Sequence, residues 1–243
     1  MELFKLNHGI VISCNFREFQ KLEETIKSTS NLSFVAGYKV GMEMVIRSGL
    51  SKVVYSIRKF TDLPIIYDHQ KFGSDGPEIY RKSLFETIKS SGIDALIIIP
   101  YSGKETLNIS VKRCFDAGLV PIIGGDLSHK GYIIEEGGYL DNNAHKKIYL
   151  NAARLGVSHF LMSCSRLDRI KIYCHKLVNM VGQLKILLTG INDEKCSNIP
   201  NACEQLKQNK SFVMLELTLP EHKDFAKVAL EFWESFQKKL EII

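Results

Sequence analysis

The sequence predicts an α/β protein, a single (β/α)₈ TIM barrel in one domain that spans residues 1–243. Short apolar runs alternate with amphipathic stretches, which is typical of βα units around a parallel sheet. Eight such runs occur, a number that favours a closed barrel. A chain of 243 residues that is 45% hydrophobic also falls in the size range in which this barrel is one domain. A doubly wound open sheet uses the same units, so the alternation by itself leaves that architecture open.

The apolar runs and the helical periodicity place the elements. The strands are expected at Gly9–Cys14, Ser33–Lys39, Pro64–Asp68, Ala95–Pro100, Leu119–Gly125, Ser158–Ser163, Lys185–Thr189 and Ser211–Glu216. Apolar residues at three- and four-residue spacing predict helices at Glu18–Lys27, Glu78–Ser90, Lys104–Asp116, Ala144–Leu155 and Lys223–Lys239. Two connections, 126–143 and 190–200, are longer than packing requires. Long loops are often functional, and loops that follow the strands line the active face of a barrel.

Composition and charge exclude several classes of protein. The net charge of +5 is spread along the chain without a run of five like charges, which argues against a nucleic-acid tail and indicates a mild preference for anionic ligands. The six cysteines form no C-x-x-C pair and no leader is visible, so we expect reduced thiols and a cytoplasmic protein. The apolar stretch Ala95–Ile99 is far shorter than the roughly 20 residues that cross a bilayer.

A cluster of charged residues follows the second and third predicted strands. The third strand ends in the segment Asp68–Asp75, which also contains Lys71, and Lys39 ends the strand before it. Neighbouring parallel strands lie about 4.8 Å apart, so Lys39 and Asp68 can touch at the carboxyl ends. An alternating Lys–Asp–Lys–Asp array keeps every member ionised. A rim salt bridge explains any one pair equally well, but four converging charges favour a catalytic site.

A second group of residues lies in the glycine-rich segment after the fifth strand, Gly124–Tyr132. Its glycines permit close backbone approach, and Ser128 can hydrogen-bond a polar heterocycle. A glycine turn with a capping serine is the alternative. His129 either orders this loop or contacts a ligand. The spacing of Cys164 from Cys174-His175 does not match a zinc site, so no metal is expected.

Together these segments resemble the orotidine 5′-phosphate decarboxylase family. The resemblance rests on Y-K-V-G at 38–41, the Asp–Lys–Asp cluster after the third strand and L-S-H-K-G-Y at 127–132, whose order and spacing hold over most of the chain. The family spacing D-x-K-x-x-D appears here in the expanded form D-x-x-K-x-x-x-D.

The resemblance implies a catalytic tetrad of Lys39, Asp68, Lys71 and Asp75, with Asp75 reaching into the neighbouring subunit of a homodimer. It implies that Ser128 contacts the pyrimidine. The implied reaction is the cofactor-independent decarboxylation of orotidine 5′-monophosphate to UMP in pyrimidine biosynthesis. Asp68 lies against the substrate carboxylate, and Lys71 stabilises the carbanion at C6 and then protonates it.

Several positions depart from the family pattern around the sugar and phosphate. Asn15 stands where the first strand normally ends in a ribose-binding aspartate, and Ile79 replaces a threonine. The usual glycine–arginine pair after the eighth strand reads Glu216-Leu217. The residues expected to bind substrate are therefore Asn15, Ser128, His129 and Gly190, which begins the altered loop after the seventh strand.

Two other functions remain open. The first is a metal-dependent sugar-phosphate lyase of the same superfamily, which usually keeps an acidic residue on the first strand, so Asn15 argues against it. The second is a non-catalytic or divergent paralogue that binds a nucleotide or related ligand. The altered phosphate region favours this second alternative. The charged tetrad argues against it, because clustered charges that have no function would lower the stability of the fold.

Overall fold

The described residues form a closed barrel of eight parallel strands, and the predicted fold class is confirmed. The structure is a computed structural model that describes residues 2–69, 72–190, 199–216 and 224–241. Each strand pairs with its neighbours in chain order, and the last closes on the first. The strands are β1 (His8–Cys14), β2 (Val35–Gly41), β3 (Ile65–Asp68), β4 (Ala95–Ile98), β5 (Val120–Gly124), β6 (His159–Ser163), β7 (Lys185–Thr189) and β8 (Lys210–Glu216).

Helices surround the barrel between the strands. They are α1 (Phe19–Thr29), α2 (Met42–Ser48), α3 (Leu50–Arg58), α4 (Lys82–Ser90), α5 (Lys104–Asp116), α6 (Ala144–Arg154), α7 (Leu167–Val181), α8 (Ile199–Gln208) and α9 (Phe225–Glu241). Among the described residues, no helix is both long and apolar enough to span a membrane. The extent of the domain, predicted as residues 1–243, stays a prediction.

Two predicted elements need correction. The helix expected over 78–90 is interrupted: a 3₁₀ turn at Pro77–Ile79 is separated from α4 because Tyr80 leaves the helical conformation. Tyr80 is buried, and its hydroxyl accepts amide hydrogen bonds from the preceding loop. A continuous helix would place the side chain where it could not accept them. The second strand begins at Val35 and runs on to Gly41, so Lys39 lies within β2 and not at its end.

The core has two layers because successive residues of a strand face opposite sides. One apolar cluster fills the bore of the barrel and the other lies between the sheet and the helices. The bore cluster includes Val11, Ala36, Ile66, Ile97, Ile122, Leu161, Leu187, Phe212 and Met214. Leu3 and Phe4 close it at the amino ends of the strands. At the carboxyl ends the buried residues become polar, with Ser13, Lys39, Asp68 and Ser163 on four strands. This change in polarity places the candidate site at the carboxyl-terminal mouth.

The bore packing gives a direct stability prediction. The Phe212 ring is fully buried with its centroid 4.0 Å from that of Phe4, so Phe212→Ala should lower the free energy of unfolding by about 3–5 kcal/mol. Phe115→Ala is the matched control, because that ring is 39% exposed, and it should cost less than half as much. Urea unfolding of both variants measures the difference. Equal losses would show that the bore cluster does not dominate the core.

Candidate active site

A buried ion pair between β2 and β3 is the centre of the candidate site. Lys39 Nζ lies 3.2 Å from Asp68 Oδ2, and the two side chains are 3% and 13% exposed. The predicted contact between these two residues is therefore present. The register pairs Lys39 with Ile66 and Gly41 with Asp68, so Lys39 starts one layer deeper in the bore. Its long side chain spans that layer to reach the carboxylate.

Gly41 leaves room for Asn15 beside this pair. A Cβ atom at Gly41 would collide with the Asn15 side-chain oxygen, which comes from the end of β1. Asn15 is exposed, and it lies over the β2 residue that is in register with Asp68. The predicted ligand-binding position of Asn15 is thus at the same mouth as the ion pair.

The loop after β3 is anchored by Tyr80. The backbone N–H groups of Gly73 and Asp75 donate hydrogen bonds of 2.7 and 3.2 Å to the Tyr80 hydroxyl. Gly73 has φ +100°, and a Cβ atom there would meet the backbone of Ile99. Thr106 Oγ1 donates to the Asp75 carbonyl at 3.1 Å. The backbone at Asp75 is therefore fixed by contacts on both sides.

The described residues show only part of the predicted tetrad, the contact between Lys39 and Asp68. Gln70 and Lys71 lie outside the described residues. Within the described ranges, no ion pair links the Asp75 carboxylate to Lys39. Asp75 instead lines an apolar groove of about 280 Å³ together with Phe72 and Ile79, and the latter is 52% exposed. The tetrad's catalytic role stays a prediction.

The predicted residues after β5 and β7 do meet. Ser128 lies against Gly190, where a Cβ atom would be 2.8 Å from that of the serine, and Gly190 has φ +70°. Ser165 Oγ donates to the Ser128 carbonyl at 3.1 Å and is 2.8 Å from Ser163 Oγ. His129 is exposed beside Ser128. These contacts form a hydroxyl-rich wall opposite β2 and β3. The remainder of the loop after β7, residues 191–198, lies outside the described residues.

A buried carboxylate, Asp126, holds the base of the β5 loop. Its side chain is 2% exposed and lies 3.0 Å from Arg169 Nη1, and the Tyr132 hydroxyl donates a hydrogen bond to it. Arg169 also contacts the Tyr132 hydroxyl at 3.2 Å. Burial is the main reason that the pKa of Tyr132 is raised, so this phenol remains a donor. The loop is thereby tied to the segment after β6.

Arg166 holds the outer part of the same loop. Its guanidinium lies 2.6 Å from Glu136 Oε1, packs over the Tyr132 ring and contacts the His129 carbonyl at 3.4 Å. The hydrogen bond from Arg166 lowers the pKa of Glu136 to about 2, assisted by the Gly131 amide. The segment 128–136 is therefore fixed on the wall that carries Ser128.

Sequence reasoning did not assign roles to Asp126, Arg166 or Arg169. A signal was present, because Asp126 is the second residue after β5 and two arginines three residues apart stand at the start of α7. Cations are unfavourable at a helix N-terminus, which suggests that they serve another contact. Among the described residues, no three potential metal ligands lie close enough together to share an ion.

Comparison with known proteins bears on the resemblance and on the fold. No protein-family model matches the chain. It is 24% identical over 184 residues to the orotidine 5′-phosphate decarboxylase of Methanosarcina mazei, covering 74% of this chain and 77% of the relative.

Solved structures show the same fold. Orotidine 5′-monophosphate decarboxylase of Methanocaldococcus jannaschii complexed with the inhibitor BMP superposes with a TM-score of 0.75 at 15% identity, covering 93% of this chain and 97% of that one. A second structure of the same enzyme gives a TM-score of 0.71 with the same identity and coverage. The family resemblance indicated by the motifs is confirmed. The comparisons do not test the expanded spacing of the charged cluster.

The Glu136–Arg166 pair gives a pH prediction. A carboxylate whose pKa is lower in the folded state stabilises the fold above its unfolded pKa, and this contribution disappears as the pH falls from about 5 towards 2. Glu136→Gln should lose this acid-dependent part of the stability, while Glu135→Gln, an exposed neighbour, should keep it. Thermal unfolding between pH 7 and pH 2.5 compares the variants. Identical pH profiles for both would contradict the assignment.

Proposed function

We propose that this chain, which is confirmed to resemble the orotidine 5′-phosphate decarboxylase family, catalyses the decarboxylation of orotidine 5′-monophosphate to UMP. The observation that carries this proposal is the buried Lys39–Asp68 pair at the carboxyl-terminal mouth of the barrel. Active sites of this fold lie at that face. The likeness to solved structures supports the barrel alone, so the activity rests on the site.

The proposed chemistry gives each residue of the charged cluster one role. Asp68, paired with Lys39, would face the carboxylate of the substrate and disfavour the bound ground state. Loss of CO₂ leaves an electron pair at C6, which the Lys71 ammonium would stabilise and then protonate. Lys39, Asp68 and Lys71 are thus proposed as catalytic residues that need no cofactor. Ser128 would hydrogen-bond the pyrimidine, with His129 and Gly190 beside it and Asn15 near the ribose.

The energetics of the pair support a functional role. Breaking one partner of a buried ion pair costs about 3–5 kcal/mol, whereas replacing both by apolar residues is often neutral. An ion pair that is 3% and 13% exposed is therefore a poor choice for stability alone. A catalytic task accounts for its position better than packing does.

We also propose a homodimer in which Asp75 completes the partner's site. Asp75 makes no ion pair within the described ranges and borders the apolar groove with the exposed Ile79. A two-fold partner seated there would cover the groove and receive the carboxylate. The cytoplasm is the proposed location, since Cys14, Cys114 and Cys174 form no disulfide with another described residue.

Loss of orotidylate absorbance tests the proposed reaction. Wild-type protein should decarboxylate orotidylate, and Lys71→Ala should be slower by more than about a thousandfold, because the proton donor and the charge beside the carbanion are lost together. Lys82→Ala removes an exposed lysine on α4 and serves as the control. Inactivity of well-folded wild-type protein would favour the non-catalytic alternative. A Lys71→Ala rate within tenfold of wild type would show that another residue protonates C6.

Mixing two inactive variants tests the dimer. If Asp75 acts in the partner's site, a heterodimer of Lys71→Ala and Asp75→Asn subunits contains one intact site and one doubly altered site. An equal mixture that exchanges freely should then recover about a quarter of the wild-type activity. Each variant alone should stay inactive. Absence of recovery, with exchange verified by sedimentation of tagged subunits, would place Asp75 in its own site or outside both.

The altered phosphate region predicts weak discrimination for the phosphate group. Leu217 lies outside the described residues and carries no charge, and each charge-assisted hydrogen bond lost with the usual arginine forfeits about 1.5–3 kcal/mol. Uridine should therefore bind nearly as well as its 5′-monophosphate. Isothermal titration measures both affinities. An advantage of a hundredfold or more for the monophosphate would show that other groups, such as the amides of residues 190–197 or Lys195, hold the phosphate.

A further inference from the structure

A cavity of about 490 Å³ lies at the amino-terminal end of the barrel, opposite the Lys39–Asp68 pair. Its walls are the first residues of β2 and β5, the segments just before β3 and β4, and the amino-terminal segment 2–6. Pockets for small molecules typically occupy about 300–1,000 Å³. The size of this cavity therefore suits a metabolite.

The floor of the cavity is apolar. It is formed by Leu3, Leu6, Val35, Ala36, Leu63, Pro64 and Val120. Leu3 and Ala36 belong to the bore cluster, so the floor is continuous with the rigid core. A ligand there gains binding free energy by burying an apolar body.

The rim of the cavity carries an excess of free positive charge. Two of its carboxylates are already paired: Asp94 lies 2.6 Å from Arg58, and Glu2 lies 2.6 Å from Lys210. Lys5 and Lys89 also line the cavity, and neither has an ion pair in the part of the chain that the structure describes. The cavity has one further carboxylate, that of Asp62, so the two ammonium groups exceed it by one positive charge.

A row of basic residues continues around the same end of the barrel. His159, Lys185 and Lys210 begin β6, β7 and β8 and are paired with one another in register. His159 is 2% exposed, and its Nε2 has no hydrogen-bond partner among the described residues. Burial and the two lysines lower its pKa to about 3, and burial and Lys210 lower the pKa of Lys185. Because His159 is neutral at this pKa and Lys210 is paired with Glu2, Lys185 is the residue of this row that adds positive charge. Together with Lys5 and Lys89 it favours the approach of anions to this end of the barrel.

We propose that the cavity binds a small organic anion with an apolar body, such as an aromatic or branched carboxylate. Lys5 and Lys89 would hold the anionic group at the rim, and the apolar floor would take the body. This site is independent of the proposed decarboxylation, because it lies at the other end of the strands.

The fluorescent anion 8-anilinonaphthalene-1-sulfonate is a suitable probe of an apolar site with a cationic rim. Wild-type protein should bind it with one-to-one stoichiometry and raised fluorescence. Lys89→Gln should weaken binding about tenfold, as expected for one lost charge-assisted hydrogen bond. Lys82→Gln removes a lysine from the other end of the same helix and should change the affinity less than twofold. Ser30→Trp, at the cavity wall, should block binding.

Three outcomes would overturn the proposal: no binding, equal effects of the two lysine variants, or displacement of the probe by saturating UMP, which would locate it at the other mouth. Inorganic phosphate should compete poorly because it lacks an apolar body. Lys89 is only partly buried at the end of α4, so its variant should fold normally. This test does not measure orotidylate decarboxylation. Failure of the proposed anion site can therefore be distinguished from failure of the proposed reaction.

Discussion

The buried contact between Lys39 and Asp68 is the interaction on which the rest of the site depends. Its position follows from the barrel itself, because adjacent parallel strands bring the two residues within reach only at the carboxyl ends. The apolar layers below exclude water from the bore, so the pair lies at the boundary between the apolar core and the mouth. An unpaired charge at this boundary would destabilise the fold. The Asp68 carboxylate is therefore held at this mouth by its contact with Lys39.

The opposite wall of the mouth is held by ion pairs between two segments. Asp126, Arg166 and Arg169 tie the long loop after β5 to the segment after β6, and the hydroxyl groups of Ser163 and Ser165 lie between them. These contacts are made by the protein's own side chains, and they hold the wall that carries Ser128 in place. Preorganised polar groups stabilise developing charge without reorganisation during the reaction. The charged pair and the serine wall thus face each other across one opening.

The sequence predicts the barrel well because periodicity records which side of each strand or helix is buried. It also predicts the Lys39–Asp68 contact, since strand order alone places those ends together. It fails at Tyr80, where a hydroxyl that binds the Gly73 and Asp75 amides overrides helical periodicity. It also misses the Asp126–Arg169 pair, because the local signals at Asp126 and at the start of α7 do not show that residues 43 positions apart are in contact. The cavity beneath the barrel is likewise invisible to periodicity, as its lining comes from several separate segments.

Hydrogen exchange at C6 of UMP tests the central claim most directly, since it asks only whether the site stabilises a carbanion at that carbon. Proton NMR in D₂O follows the C6–H signal with time. The account predicts that wild-type protein removes this signal well above the buffer rate, and that Lys71→Ala reduces the exchange strongly. Wild-type protein that binds UMP yet leaves the C6 proton in place would contradict the account.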